Sequence, residues 1–339
     1  MARPRFSVRV QNFIPQTGRI RRPKPDLPVY FETATTAEKC GYFGVTMYDH
    51  FYRTETHVKV ARNVLGPGLE IMPETMPELW TTLTHMASIT ERIRVVANVI
   101  SINFRAPSLV AAMTSTLDNV SRGRLEVGLG AGGDREETAS YGLSRPSDPA
   151  ERAQKLDEFV RILKLMWSEE APTFHGKFFK IDGARAPLKP VQKPHPPINI
   201  GASQPLLLRV AARHADILTP ALFCGGDRGY ERLKAVLKKF EEECEAVGRE
   251  YDEVTKAVLF RLMVAENERE LEAKLKMWTP GGYTTKEYRT MVYCGMPKDF
   301  ERTIKRYVDA GVSYFFLDFM DLPSMSGIEL FAHEVMNRL

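Results

Sequence analysis

Three short segments carry residues whose types and order suit chemistry. Asp49-His50-Phe51 follows a β-type run, and an imidazole at such a strand end can hydrogen-bond or exchange a proton with a bound ring or substrate. RLEVGLGAGGDREE (124–137) sets Gly128, Gly130 and Gly133 in GxGxxG spacing. That pattern alone suggests a dinucleotide fold, which also needs a helix at once and an acidic strand end about 20 residues on. Neither is read in the sequence, so the glycines are read instead as a turn where missing Cβ atoms let backbone approach a planar ligand or phosphate. The third segment, Gly201-Ala202-Ser203-Gln204, ends a strand and leads into a helix with Pro205 in its first turn. Unpaired amides there make a ready anion site, with Ser203 capping the helix.

Other chemistries find little support. Cys40, Cys224, Cys244 and Cys294 are scattered without a CxxC pair, and the seven histidines form no HExxH, so no metal site is expected and the thiols read as reduced. The 47 basic and 43 acidic residues give a net charge of +4, too balanced for nucleic acid or an anionic membrane as partner. Arg19, Arg21, Arg22 and Lys24 form the one basic cluster, readable as a solvated loop or an anion contact. The basic N-terminus lacks an apolar signal core, and no run of about 18 apolar residues appears. A cytoplasmic chain is the expectation.

These segments need a frame. Apolar runs at 6–10, 43–48, 93–100, 124–130, 198–202, 215–219, 257–264 and 313–319 alternate with helix-period segments at 28–41, 77–91, 107–121, 151–167, 204–213, 229–247, 298–310 and about 326–338. Eight strand-helix units predict a (β/α)8 TIM barrel, in a single domain spanning 1–339 because no linker divides the chain. Insertions fall near 52–76, 168–197 and 278–296, and the proline-rich run 187–197 reads as an extended connector away from the site. His57, Trp278, Tyr283 and Tyr288 in these insertions are candidates to line a substrate pocket, or simply to pack their loops.

Five ordered blocks, GYFGVTMYDHF, LWTTLTHMASITERIRVVANV, RAPSLVAAMTSTLDNVSRGRLEVGLGAG, PPINIGAS with RVAARHADIL, and MPKDFERTIKRYVDAGVSYFFLDF, make the chain resemble the bacterial luciferase-like superfamily of flavin- and deazaflavin-dependent enzymes. The resemblance implies a bulge at Asn98 and Val99, often with a non-prolyl cis peptide, backing the cofactor ring. It implies a phosphate-holding turn at Gly201, Ala202, Ser203 and Gln204, and a turn beside the cofactor tail at Gly130, Ala131 and Gly132. Asp49 and His50 resemble the Asp-His pair of the deazaflavin branch, with His50 handling substrate or proton and Asp49 fixing its tautomer. Gln11 and Asn12 replace an acidic residue of some deazaflavin dehydrogenases, and Gly133-Asp134 stands where a second is expected, which argues against a sugar-phosphate dehydrogenase. The implied activity is hydride transfer between coenzyme F420 and a small organic substrate, with the basic cluster at 19–24 meeting the coenzyme's acidic tail. The alternatives are an FMN-dependent monooxygenase and a non-enzymatic flavin-binding protein, and relatives suggest a homodimer.

Overall fold

A computed structural model describes residues 3–10, 27–52, 54, 76–220, 223–224, 226–279 and 284–339. Eight parallel strands form its centre: β1 (Arg5–Arg9), β2 (Gly44–Met47), β3 (Arg94–Ser101), β4 (Leu125–Gly130), β5 (Ile198–Gly201), β6 (Ile217–Thr219), β7 (Thr255–Val264) and β8 (Val312–Phe319). Each pairs with the next in sequence, and β8 returns to β1 with Phe6 opposite Phe315, so the sheet closes into the expected (β/α)8 barrel. Closure leaves no open edge. Strands covered on both faces read as near-continuous apolar runs, as LEVGLG in β4 does with every residue buried.

The outer ring is α1 (Leu27–Lys39), α2 (Leu79–Ile89), α3 (Pro107–Val120), α4 (Arg135–Ser140), α5 (Pro149–Ser168), α6 (Pro205–His214), α7 (Gly226–Val247), α8 (Glu268–Trp278), α9 (Thr285–Met291), α10 (Pro297–Asp309) and α11 (Ser326–Glu334). Four of them, α3, α5, α6 and α10, begin on proline, which lacks the amide that a first turn leaves unbonded. α10 buries Phe300, Ile304 and Tyr307, one stripe at helical spacing.

Two corrections to the sequence reading concern the insertions and the glycine run. A short helix, α4, does follow the glycines. The 278–296 insertion carries α9 and a strand, Tyr293–Gly295, paired to β7. Between α5 and β5 the chain forms a small antiparallel pair, Phe174–His175 with Lys180–Ile181. The proline-rich connector then runs beneath the barrel, where Gln192 bonds the Asp118 carboxylate and the Leu125 carbonyl at the N-terminal end of β4.

The barrel interior is filled. At its N-terminal end the Tyr314 hydroxyl meets Ser7 Oγ at 2.7 Å and Glu126 Oε2 at 3.2 Å, and Arg94 pairs with Glu126 at 2.9 Å. Burial pushes the Glu126 carboxyl up, opposed by Arg94. Above this plug lie Val96, Ile217, Ala257 and Phe316 in one apolar cluster.

Candidate functional site

The C-terminal strand ends converge on a cavity of about 250 Å³. Of the residues singled out in the sequence it is lined by Asp49, His50, Val99, Gly130, Ala131, Gly132, Gly133, Asp134 and Gly201. Asn98 joins them through a cis peptide to Val99, at a bulge where the β3–β4 register slips between Ala97 and Ile100. Ala202, Ser203 and Gln204 stand beside the cavity at the start of α6. The cap position falls on Gln204 rather than Ser203, and the Gln204 side chain makes no capping bond.

Much of the glycine pattern belongs to the bulge. A Cβ on Gly128 would lie 2.2 Å from the Ala97 carbonyl oxygen, and one on Gly130 would lie 2.7 Å from Val99 Cγ2. Gly132 adopts φ +73°, and its Cβ would strike Asn103. Gly133, third of the GxGxxG spacing, would meet nothing within 4 Å. Asn103 donates to the Ala131 carbonyl and accepts from Lys155, while Arg145 Nε donates to the Gly132 carbonyl, so α5 and the loop before it fix the turn.

His50 Nδ1 lies 2.6 Å from Glu137 Oε2, and the Phe51 amide donates to Glu137 Oε1, also at 2.6 Å. Glu137 is fully shielded, whereas the His50 side chain keeps 28% of its surface exposed. The carboxylate is itself placed by α4, whose cap Asp134 accepts from the Glu137 amide at 2.9 Å and also bonds the Thr54 hydroxyl. The expectation that Asp49 sets the His50 tautomer is therefore corrected, since Glu137 holds that nitrogen. Asp49 instead pairs with Arg105 Nη1 at 2.7 Å and accepts from the Ser101 amide, and Arg105 Nη2 reaches Glu78 at 2.7 Å. Burial pushes the Asp49 carboxyl up, and Arg105 opposes it.

Sequence reasoning missed Glu137, Arg105 and Arg152. Arg152 lines the cavity, and its Nε has no hydrogen-bond partner among the described residues. Asp134-x-x-Glu137 was the available signal for a helix start that aims an acid at the strand ends. Trp278 and Tyr288 are buried in a satellite cluster with Met263, Leu271 and Leu275 and do not line this cavity. The basic cluster at 19–24, Gln11, Asn12, His57 and Tyr283 lie outside the described residues.

A closed barrel with a ligand-sized cavity at its strand ends, beside a non-prolyl cis peptide, defines a class of barrel proteins rather than one activity. Residues 8–312 match the family model of luciferase-like monooxygenases, and the chain belongs to that family. Its fold is similar to that of an F420-dependent secondary alcohol dehydrogenase solved with an F420-acetone adduct, at 20% identity over 98% of each chain and a TM-score of 0.74. The coenzyme F420-dependent tetrahydromethanopterin reductase from Methanopyrus kandleri matches at 18% identity over 99% of each chain, with a TM-score of 0.74. A long-chain alkane monooxygenase matches at 16% identity, covering 100% of this chain and 91% of its own, with a TM-score of 0.77. No helix among the described residues is long and apolar enough to cross a membrane.

Proposed function

We propose that this chain is an oxidoreductase that uses coenzyme F420 to move a hydride to or from a small organic substrate. The observation that carries this reading is the His50–Glu137 contact on the cavity wall. Hydride transfer at an alcohol or carbonyl carbon has to be matched by a proton on its oxygen, and a histidine backed by a buried carboxylate supplies one. The similarity to two proteins named as F420-dependent supports the choice of coenzyme.

The residues present fit such a group. Gly130, Gly132 and Gly201 leave that side of the cavity without side chains, Asn98 and Val99 back it, and the first turn of α6 presents the Leu206 amide, with no capping bond from the Gln204 side chain. In this reading Asn98 and Val99 support the ring, while Gly130, Ala131, Gly132, Gly201, Ala202, Ser203 and Gln204 hold the tail together with Arg152. The deazaflavin, when bound, supplies the two-electron chemistry. His50 gives or takes the substrate proton at Nε2, because Glu137 occupies Nδ1 and steadies the imidazolium once it forms. Asp49, tied to Arg105, holds the backbone from which His50 projects, and its amide donates to the Val99 carbonyl at 3.4 Å.

Equilibrium titration of the apo-protein with F420 and with FMN, followed by anaerobic reduction trials, tests this reading. Tighter F420 binding and anaerobic bleaching with an oxidisable substrate are expected. Preference for reduced FMN with oxygen uptake would replace the reading by a monooxygenase. Stoichiometric binding without any bleaching would leave a flavin-binding protein.

A further inference from the structure

Asn199 and Thr219 have no part in the site above, yet both are tied to Asn98 on the inner wall of the barrel. On β5, Ile198 and Ile200 pack outward in the main core, so Asn199 between them points inward. On β6, Leu218 packs outward and Ile217 belongs to the interior cluster, which turns Thr219 inward as well. Val96 of β3 is in the same interior cluster, and Asn98 stands two positions above it. The Thr219 hydroxyl donates to Asn199 Oδ1 at 2.9 Å, and Asn199 Nδ2 donates to Asn98 Oδ1 at 3.4 Å. Gly128 is in register with Asn199, and a Cβ there would lie 3.1 Å from Asn98 Cα, so the glycine also clears the space in which the two amides meet.

The order of donors fixes a direction. A threonine hydroxyl has one hydrogen, and here it goes to the Asn199 oxygen, which turns the Asn199 amide nitrogen toward Asn98. Asn98 answers with its oxygen, so its own nitrogen, with two hydrogens, is the far end of the relay and has no hydrogen-bond partner among the described residues. Asn199 and Thr219 are buried, whereas Asn98 keeps part of its surface. The Tyr314–Glu126 plug closes the other end of the barrel, so that surface faces the mouth, where Val99 and Ile100, next in the chain, line the cavity.

We propose that Thr219 and Asn199 are positioning residues that lock the Asn98 amide with its N–H groups toward the cofactor ring, making Asn98 a donor that favours the reduced form. The proposal rests on the oxidoreductase reading, in which Asn98 and Val99 support the ring, and adds how the protein tunes the bound cofactor. Two-electron reduction raises the electron density of the ring. A donor aimed at a ring oxygen or nitrogen, or at the π face, therefore stabilises the reduced form more than the oxidised one. An asparagine standing alone can present either end of its amide, and the opposite end would favour the oxidised form. The relay removes the choice.

Equilibrium titrations with oxidised and with anaerobically reduced F420, and with both forms of FMN as a second arm, give the ratio of the two dissociation constants. Asn98→Leu should shift that ratio about tenfold toward the oxidised form, the scale of one hydrogen bond. Thr219→Val and Asn199→Leu should each shift it severalfold in the same direction, and Thr219→Ser, which keeps the hydroxyl, should leave it at the wild-type value. Nuclear magnetic resonance of wild-type protein carrying isotopically labelled asparagine keeps the test open if these variants fail to fold. The Asn98 side-chain N–H resonances should move on cofactor binding and move again on reduction. Unmoved resonances, an unchanged ratio in folded Asn98→Leu, or a wild-type ratio in folded Thr219→Val overturns the proposal. The expected shifts with FMN alone would count against the choice of F420 and support the relay. Binding of neither cofactor would remove the oxidoreductase reading and the relay's role with it.

Discussion

His50 and Glu137 are 87 positions apart in the chain and 2.6 Å apart in space. The consequence is a division of labour that substitution can read. His50→Ala should lower turnover by about 10²-fold, the usual scale for a lost acid–base group, with cofactor affinity changing far less. Glu137→Gln keeps an oxygen for the Phe51 amide but removes the charge behind the imidazole, so a loss of about tenfold in turnover is expected. Rapid-mixing and steady-state kinetics on both variants check this, and an unchanged rate in His50→Ala removes it from the mechanism. Half of this site was legible in the sequence, because Asp49-His50 abuts its own strand and its position at a strand end follows from local pattern. Its partner was not legible, because only barrel curvature brings the loop after β4 over the end of β2. Asp49 looked like the natural partner through adjacency, but neighbours on an extended chain point to opposite sides, and Asp49 turns to Arg105 instead.

At the scale of elements, the β3 bulge and the glycines of β4 form one unit. Gly128→Ala would drive a Cβ against the Ala97 carbonyl, a backbone atom with no easy retreat, whereas Gly133→Ala meets open space. Thermal unfolding should show the first losing about 2 kcal/mol or more and the second changing by less than about 0.5 kcal/mol. A second element-level tie joins α5 to α6 through Asp157, 2.9 Å from His214 and 3.6 Å from Arg213. The His214 hydrogen bond, with Arg213 and Arg161 nearby, outweighs burial and holds the Asp157 carboxyl below its ordinary value. A depressed carboxylate stabilises the fold at pH values above its unfolded pKa, and that contribution is lost as pH falls through the folded value. Asp157→Asn should therefore cost about 1 kcal/mol at pH 7, with the gap to wild type closing below about pH 4 in melts across pH. All eight barrel strands were readable to within two residues, since β-branched and aromatic runs such as IRVVANVI have no helical alternative of that length. α8 was not, because among many charged residues only Leu271, Leu275 and Trp278 face inward. α4 is only six residues long, too short for a periodic pattern to appear.

At the scale of the whole molecule, the barrel is unevenly sewn. β7 and β8 share seven register pairs, from Lys256–Val312 to Leu262–Phe319, whereas β5 and β6 share three, from Asn199–Ile217 to Gly201–Thr219. Opening should begin at such a seam, where few ladder bonds must break. Hydrogen exchange should show the amides of Ile217 and Leu218 exchanging at lower free energy than those of Leu262 and Phe316. Equal protection across both seams would show the cylinder opening as a unit. The Ser7–Tyr314–Glu126–Arg94 plug has a different consequence, one of traffic. Among the described residues it makes the cylinder a cul-de-sac, so the cofactor and substrate proposed above would both enter from the opposite rim. Whichever lodges deeper has to enter first and depart last, and a compulsory order of addition would be imposed by the far end of the barrel from the chemistry.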